Sequence, residues 1–235
     1  MAAAVPPRAT GGPPANDGLD AAKIAAIVLM AANHVLLAWP APWPEWGYVI
    51  GRPCVPLFTV IMVGRLAAGG AERARRMLVW LAVAAVLSQP VYYALTANWP
   101  LRANVLVALA AGVALIELLR REYYVLLAAA IVLLLAADPW LDPGATAPVG
   151  MVAAYAVWPR SRAAGVAILC ALAAIGDVFT APQFPFAALA VLAAPVILIA
   201  SPPLACVTPR LPRWTFYVFY PAHLLAIWLV YGPYR

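Results

Sequence analysis

The sequence predicts an all-α integral membrane protein, a polytopic bundle of about nine transmembrane helices with a cytoplasmic N-terminus. Three observations predict it: the apolar composition, a series of apolar segments of helical length, and the one-sided distribution of the arginines. Of 235 residues, 66% are hydrophobic and only 10% are charged. A soluble domain has about 25% charged residues, because it needs a polar surface. The composition therefore excludes a soluble enzyme, a nucleic-acid-binding module and a disordered protein.

The apolar segments define the predicted helices. Crossing a bilayer takes about 20 apolar residues, and fewer where neighbouring helices shield the segment. The segments are approximately residues 19–39, 48–69, 77–95, 104–119, 122–137, 147–158, 163–178, 184–200 and 214–232. The two between 147 and 178 are short, so eight spans remain an alternative. Residues 1–18 lack an apolar stretch and are expected to form a flexible cytoplasmic tail, followed by a single transmembrane domain over 19–235.

The arginines predict the orientation of the bundle, because cytoplasmic loops are enriched in Lys and Arg. With the tail inside, the cytoplasmic loops contain Arg73, Arg75, Arg76, Arg120, Arg121, Arg160, Arg162, Arg210 and Arg213. The outer loops contain only Arg102, together with tryptophans that are typical of a membrane interface. Sidedness therefore accounts for the net charge of +6, and no nucleic-acid partner is expected.

The first segment contains costly polar residues. An ionisable group inside a membrane is expensive unless it is paired or hydrated, so each is a candidate functional residue. Asp20, Lys23 and His34 share one stripe of the predicted helix, with Asn33 beside it. His34 lies about 21 Å along the helix from Asp20 and is expected in the outer half of the bilayer. Its role as a general base or as a structural group stays open, and no metal is expected because ligand-spaced partners are absent from the sequence.

Other polar residues are expected at a similar depth, around a buried chamber that opens outward. They are Arg52, Ser88, Gln89, Asn104 and Asp177. Arg52 either snorkels to the outer headgroups or donates to a carbonyl or carboxylate inside the site. Tyr220 and His223 share one face of the last segment, and counting along that helix puts His223 near the midplane, below the others.

Several of these stretches resemble the TraX family of conjugative-pilin acetyltransferases, and within it the TrbP-type conjugal transfer proteins of broad-host-range plasmids. The likeness lies in LDAAKIAAIVLMAANH, GRPCVPLF, SQPVYY, NVLVALAAG and YPAHL. The resemblance implies an acetyl-CoA-dependent transferase of the bacterial inner membrane. Its acceptor would be a pilin subunit, modified at the N-terminal amine or a nearby group, in support of pilus maturation and plasmid conjugation.

For such a transferase, we expect the following roles for the polar residues. His34 is expected to be the catalytic base beside Asn33, with Arg52, or an amide such as Asn104, stabilising the oxyanion. The residues expected to bind the acceptor are Ser88, Gln89, Asn104, Asp177, Tyr220 and His223. Those expected to bind acetyl-CoA are Asp20, Lys23, Arg73, Arg75, Arg76, Arg120 and Arg121, unless the arginines only set the topology. The family commonly has Asp before the histidine, whereas Asn33 here cannot supply a negative charge.

Three alternatives remain open on the sequence. The acceptor of the acetyl group is instead a hydroxyl of a glycan or lipid. The chain is a proton-coupled carrier in which His34, Asp20 and Lys23 form a relay, although matching broken helices in two halves are not visible. In the third alternative the protein is a non-catalytic membrane scaffold. The sequence leaves the oligomeric state open.

Overall fold

The computed structural model describes residues 19–39, 44–96, 102–180, 185–206, 208–212 and 214–233, so the predicted tail lies outside the described residues. Within these ranges the chain is helical and contains no β-strand. The helices are α1 (Leu19–Ala38), α2 (Pro44–Gly51), α3 (Cys54–Ala67), α4 (Ala71–Leu95), α5 (Val105–Arg120), α6 (Tyr124–Ala136), α7 (Thr146–Val157), α8 (Arg162–Thr180), α9 (Pro185–Ala190), α10 (Ala193–Ala200) and α11 (Thr215–Tyr231). The all-α class is therefore confirmed.

Several helices have the length and the apolar composition of membrane-spanning helices. Four helical stretches of the described chain are long and apolar enough to cross one: Leu19–Ala38, Trp46–Ala67, Ala71–Leu95 and Arg162–Phe179. Shorter apolar helices cover Tyr124–Ala136, Thr146–Val157, Phe186–Ala200 and Thr215–Tyr231. These helices are consistent with a membrane protein, while nine spans and a cytoplasmic N-terminus stay predictions.

Two of the predicted segments are each divided into two helices. The second is interrupted at Arg52 and Pro53, between α2 and α3. The eighth is interrupted at 191–192, because Pro195 has no N–H to donate to the carbonyl four residues earlier. Pro90 and Pro221 lie inside α4 and α11, which continue past them. A proline thus breaks some helices of this bundle and is accommodated in others.

The helix α3 lies at the centre of the bundle. It packs against α1, α7, α8 and α10, and Leu57, Val63 and Leu66 have no exposed surface. The helix α6 is more apolar than α3 but lies at the periphery, where it packs mainly on α5. Its only buried residue is Leu127, and Val125 is 83% exposed. An apolar helix with an exposed apolar surface is what lipid contact requires.

Two glycines bring α1 and α2 close together. A Cβ atom at Gly51 would lie 2.5 Å from Cγ of Asn33, and one at Gly47 would lie 2.8 Å from Cβ of Leu36. Small residues four positions apart allow helix backbones to approach closely in membranes. The side-chain amide of Asn33 donates to the Gly47 carbonyl at 2.7 Å. This contact positions the end of α2, and therefore Arg52, relative to α1.

Candidate active site

A small cavity lies among α1, α3, α5 and α11, and we call it the His34 chamber. It is lined by Met30, Asn33, His34, Gly51, Arg52, Cys54, Val55, Phe58, Val105, Leu109, Asp142, Pro143, Phe216 and Tyr220. Its volume is about 40 Å³. A single water needs about 10–15 Å³ on this measure, so the chamber has room for about three small groups. It brings a histidine, an arginine and an aspartate to one cavity.

His34 and His223 are in direct contact. Nδ1 of His34 lies 2.8 Å from Nε2 of His223, and the ring centroids are 5.0 Å apart. Both side chains are buried. The two histidines therefore meet, although they lie on different helices, while their relative depth in a membrane stays a prediction. Of the two predicted acceptor-binding residues on α11, Tyr220 lines the chamber and His223 contacts His34.

Aromatic contacts orient the two imidazole rings. The ring of Phe219 stacks on that of His223 with centroids 4.7 Å apart and an interplanar angle of 7°. Nδ1 of His223 lies 2.9 Å from the Phe219 carbonyl oxygen. The ring of Tyr220 meets both imidazoles edge-on, with centroids 6.3 Å from His34 and 5.5 Å from His223. These contacts hold both imidazole rings in defined orientations.

Arg52 forms a buried ion pair with Asp177. Its Nη1 lies 3.0 Å from Oδ1 of Asp177, and the two side chains are only 14% and 8% exposed. Nε donates to the Tyr48 carbonyl at 3.2 Å, and the guanidinium carbon lies 3.8 Å from the centroid of the Tyr48 ring. Among the described residues Nη2 has no hydrogen-bond partner. Of the two alternatives for Arg52, the structure therefore has the one in which it donates inside the site.

Asp142 is a chamber residue that was not predicted from the sequence. The neighbouring Leu141 pairs with Ala103 in an isolated bridge, and the Asp142 N–H donates to the Ala103 carbonyl at 3.0 Å. Oδ2 of Asp142 accepts the Tyr92 hydroxyl at 2.9 Å. The other aspartate of this loop, Asp138, instead accepts the Ala145 N–H at 2.6 Å, next to the start of α7. The sequence offers no signal that separates the two, because only the pairing of distant loops aims Asp142 at the chamber.

Ser88, Gln89 and Asn104 form a separate cluster, which we call the Asn104 network. Asn104 is the N-cap of α5, where its Oδ1 accepts the Leu106 N–H at 3.0 Å. Its amide nitrogen donates to Oγ of Ser88 at 3.1 Å, to Oε1 of Gln89 at 2.8 Å and to the Ala85 carbonyl at 3.1 Å. Among the described residues that line the chamber, none belongs to this network. Acceptor binding by these three residues stays a prediction.

An open groove, which we call the basic groove, lies near the start of α1. It is lined by Leu19, Gly64, Arg65, Ala68, Arg73, Arg76, Met77, Trp80, Trp214 and Tyr217, and its volume is about 640 Å³. Arg73 and Arg76 were predicted to bind acetyl-CoA, whereas Arg65 was expected to serve sidedness. The structure brings all three to one surface.

An apolar pocket adjoins both the basic groove and the His34 chamber. It shares Arg65, Met77 and Tyr217 with the groove, and Phe58 and Phe216 with the chamber. The rings of these two phenylalanines are 4.3 Å apart between centroids. They therefore separate the apolar pocket from the chamber.

Lys23 connects α1 to the apolar pocket. Its ammonium group forms an ion pair with Asp20, one turn earlier on the same helix. Lys23 also lines the apolar pocket. Of the two predicted cofactor-binding residues in α1, Lys23 thus lines a cavity, and Asp20 forms an ion pair with Lys23.

The remaining predicted cofactor-binding arginines have other surroundings. Arg75 pairs with Glu72 at 3.0 Å on an exposed surface. Arg120 donates to the carbonyls of Leu66 and Gly69, at the end of α3, and its Nη1 contacts Glu117 at 2.7 Å. Arg121 directly follows α5 and is exposed. Arg120 therefore holds α5 against the end of α3, whatever else it binds.

Together these features define an all-helical protein of membrane type, with a histidine–arginine chamber that an apolar pocket separates from a basic groove. The chain belongs to the TraX family, since the family model described as TraX protein matches residues 18–231. This confirms the resemblance seen in the segment motifs, while the closeness to TrbP-type proteins stays a prediction. Membership indicates a conjugation-related role and is compatible with an enzyme. No curated protein and no solved structure matches the chain.

Proposed function

We propose that this protein is an acetyltransferase of the bacterial inner membrane that moves an acetyl group from acetyl-CoA to a conjugative pilin subunit. The observation that carries the proposal is the series of adjoining cavities, from the basic groove through the apolar pocket to the His34 chamber. Acetyl-CoA has the same order of parts: a phosphorylated nucleotide, a long narrow arm and a thioester.

The basic groove supports binding of the nucleotide part of the donor. Guanidinium groups pair with phosphate oxygens in a bidentate geometry, and Arg65, Arg73 and Arg76 share this groove. Trp80 lines the same surface and is half-exposed, so its ring is accessible for stacking with a base. The pantetheine arm would follow the apolar pocket.

The chamber supports a short acyl group. An acetyl group has three heavy atoms, which suits a space for about three small groups. The thioester would enter the chamber where Phe58 and Phe216 separate it from the apolar pocket. A longer acyl chain would require these rings and their neighbours to move apart.

The chamber residues supply the groups that acyl transfer needs. His34 acts as general base and accepts a proton from the acceptor as the acceptor attacks the thioester carbonyl. Arg52, through Nη2, donates to the carbonyl oxygen as it becomes negative. The thioester C–S bond then breaks, and the proton held by His34 passes to the departing thiolate of CoA. The products are an acetylated acceptor and free CoA.

The carboxylates favour an amine as acceptor. Asp142 lines the chamber, and Asp177 pairs with Arg52, so two carboxylates accompany one arginine. The surplus of negative charge attracts an ammonium group more strongly than a hydroxyl. An N-terminal amine has a pKa near 8, so it releases one proton to solvent and attacks as the free amine, and His34 accepts the second proton, which the nitrogen loses on attack. This supports the N-terminal amine of a pilin over a glycan or lipid hydroxyl.

The test is intact-mass analysis of the cognate pilin from cells that contain the wild-type protein, His34→Ala, Val28→Ala or no protein. Val28 lies on the same helix, is 58% exposed and serves as the matched control. We expect a gain of one acetyl mass with wild type and Val28→Ala only, at equal membrane levels of all variants. Retention of that mass in His34→Ala would reject His34 as the base.

The alternatives give different outcomes in the same cells. Acetyl label from radiolabelled acetyl-CoA that appears in glycan or lipid, but not in pilin, would indicate the hydroxyl acceptor. Counterflow of a labelled solute without dependence on acetyl-CoA would indicate a carrier. Normal conjugation in cells with His34→Ala would indicate a scaffold.

A further inference from the structure

We propose that His223 is a positioning residue that holds His34 in the tautomer protonated at Nδ1, so that Nε2 of His34 carries the lone pair. The tautomer is a property of the ligand-free protein. Only its consequence for acetyl transfer rests on the proposed function.

The first step fixes the tautomer of His223. Nδ1 of His223 lies 2.9 Å from the Phe219 carbonyl oxygen, and a carbonyl oxygen can only accept a hydrogen bond. Nδ1 of His223 therefore carries the hydrogen. A second hydrogen on Nε2 would create a cation in a buried site beside the rings of Phe219 and His34, which is costly. His223 is thus neutral, and its Nε2 is a hydrogen-bond acceptor.

The second step transfers this constraint to His34. Nδ1 of His34 lies 2.8 Å from Nε2 of His223, and an acceptor requires a donor opposite it. Nδ1 of His34 therefore carries a hydrogen, and in the neutral ring Nε2 is then the basic nitrogen. Both histidines are in the Nδ1-protonated form, which is the minor tautomer of histidine in water. The Phe219 carbonyl in α11 thus determines which ring nitrogen of His34, in α1, is basic.

This arrangement replaces a carboxylate partner. In many enzymes a carboxylate orients the histidine base, and the residue next to His34 is Asn33. The amide of Asn33 donates to the Gly47 carbonyl at 2.7 Å and supports the contact of α1 with α2. His223 therefore accepts the hydrogen bond from His34 that a carboxylate accepts in those enzymes. When His34 takes up a proton at Nε2, its Nδ1–H keeps donating to His223, now as a stronger charge-assisted bond.

The tautomers can be measured directly, because the chain contains only two histidines. Full-length protein labelled with [¹⁵N]histidine, in lipid nanodiscs without donor or acceptor, gives ring nitrogen signals of these two residues alone. Two-bond ¹⁵N–¹H correlations distinguish the tautomers, and a variant at position 223 assigns the signals. We expect both rings to be protonated at Nδ1. A His34 ring protonated at Nε2 in the wild-type protein would overturn the proposal.

Two variants separate positioning from simple packing. His223→Gln places an amide oxygen near the position of Nε2 and keeps an acceptor, whereas His223→Leu removes it. We expect His34 to stay protonated at Nδ1 in His223→Gln and to change to the Nε2-protonated form in His223→Leu. The proposal is wrong if His34 keeps the Nδ1 hydrogen in His223→Leu.

The rate of acetyl transfer gives the second readout. We expect kcat to fall about a hundredfold in His223→Leu and less than about tenfold in His223→Gln, with the KM for acetyl-CoA unchanged in both. Leu225→Ala, on the same helix and 43% exposed, is the control and keeps the wild-type rate. Equal losses in the two His223 variants would contradict a positioning role. If the wild-type protein transfers no acetyl group, the proposed function fails while the tautomer result still decides this proposal.

Discussion

The Asn104 network and the His34 chamber both collect polar side chains among apolar helices, yet they use them differently. In the network, the Asn104 amide and the Ser88 hydroxyl donate to neighbouring oxygens of α4, and the group completes the N-terminus of α5. In the chamber, His34, Arg52 and Asp142 line a common cavity. A polar residue in a membrane helix is therefore not diagnostic of function by itself. A functional role is indicated only when the side chain also lines a cavity where a ligand can bind.

The largest expected effect comes from breaking the ion pair that supports the chamber. Arg52→Gln leaves the Asp177 carboxylate buried without its cation, and we expect the free energy of unfolding to fall by about 3–5 kcal/mol. Denaturant unfolding of the purified protein in detergent measures it. The double variant Arg52→Gln/Asp177→Asn removes both charges and is expected to recover most of this loss. Equal losses in the single and double variants would show that the pair is not the source of the stability.

The next effect tests the carboxylate of the chamber. Asp142→Asn keeps an oxygen that accepts the Tyr92 hydroxyl and removes the charge. We expect the KM for a peptide amine acceptor to rise about ten- to hundredfold, because a charged hydrogen bond to the ammonium group is lost. Steady-state acetylation of a synthetic peptide with the pilin N-terminus measures it. Asp138→Asn, in the same loop but next to the start of α7, is the control, and an equal rise in its KM would reject the assignment of Asp142.

A smaller effect is expected in the network. Asn104→Ala removes the N-cap of α5 and leaves the donor of Leu106 unpaired, so the free energy of unfolding falls by about 1–2 kcal/mol. Acetyl transfer per folded molecule stays within about twofold of wild type, because the network does not line the chamber. Unfolding and activity are measured on the same preparations. A higher KM for the acceptor with unchanged stability would instead support the predicted substrate contact of Asn104.

The smallest effect distinguishes arginines of the basic groove from a neighbour on the same helix. Arg73→Ala and Arg76→Ala are each expected to raise the KM for acetyl-CoA by about three- to tenfold, since each removes a cation from the phosphate-binding surface. Arg75, which pairs with Glu72 and does not line the groove, is the matched control with a change below about twofold. The difference should shrink at high salt, because ions screen exposed charges. Equal effects of all three variants would favour a general charge effect over a site.

Much of the helical framework was predictable because its causes are local. The first predicted segment, 19–39, agrees with α1, and the seventh, 163–178, lies within α8. Segment length and apolar composition are sufficient to predict these helices, since an apolar stretch inside a membrane must form the hydrogen bonds of its backbone N–H and C=O groups within itself. The break before Pro195 was not predicted, because Pro90 and Pro221 show that the same residue type is accommodated where the surrounding helices permit it.

The sequence predicted several residues of the site but not the contacts between them. His34, Arg52 and Tyr220 were identified from their positions in apolar segments, and all three line the chamber. Asp142 was not identified, and Ser88 and Asn104 were grouped with the chamber although they form their own network. The cost of burying a polar group is visible in a sequence, whereas the partner that offsets this cost is not.

The sequence by itself determined that this protein is helical, apolar enough for a membrane and supplied with a few expensive polar residues. The tertiary structure decided which of them meet: His34 with His223, 189 positions apart, and Arg52 with Asp177, 125 positions apart. The physical reason is that composition and periodicity act within one helix. The faces that touch depend instead on how helices tilt, rotate and approach one another, and here Gly47 and Gly51 allow that approach.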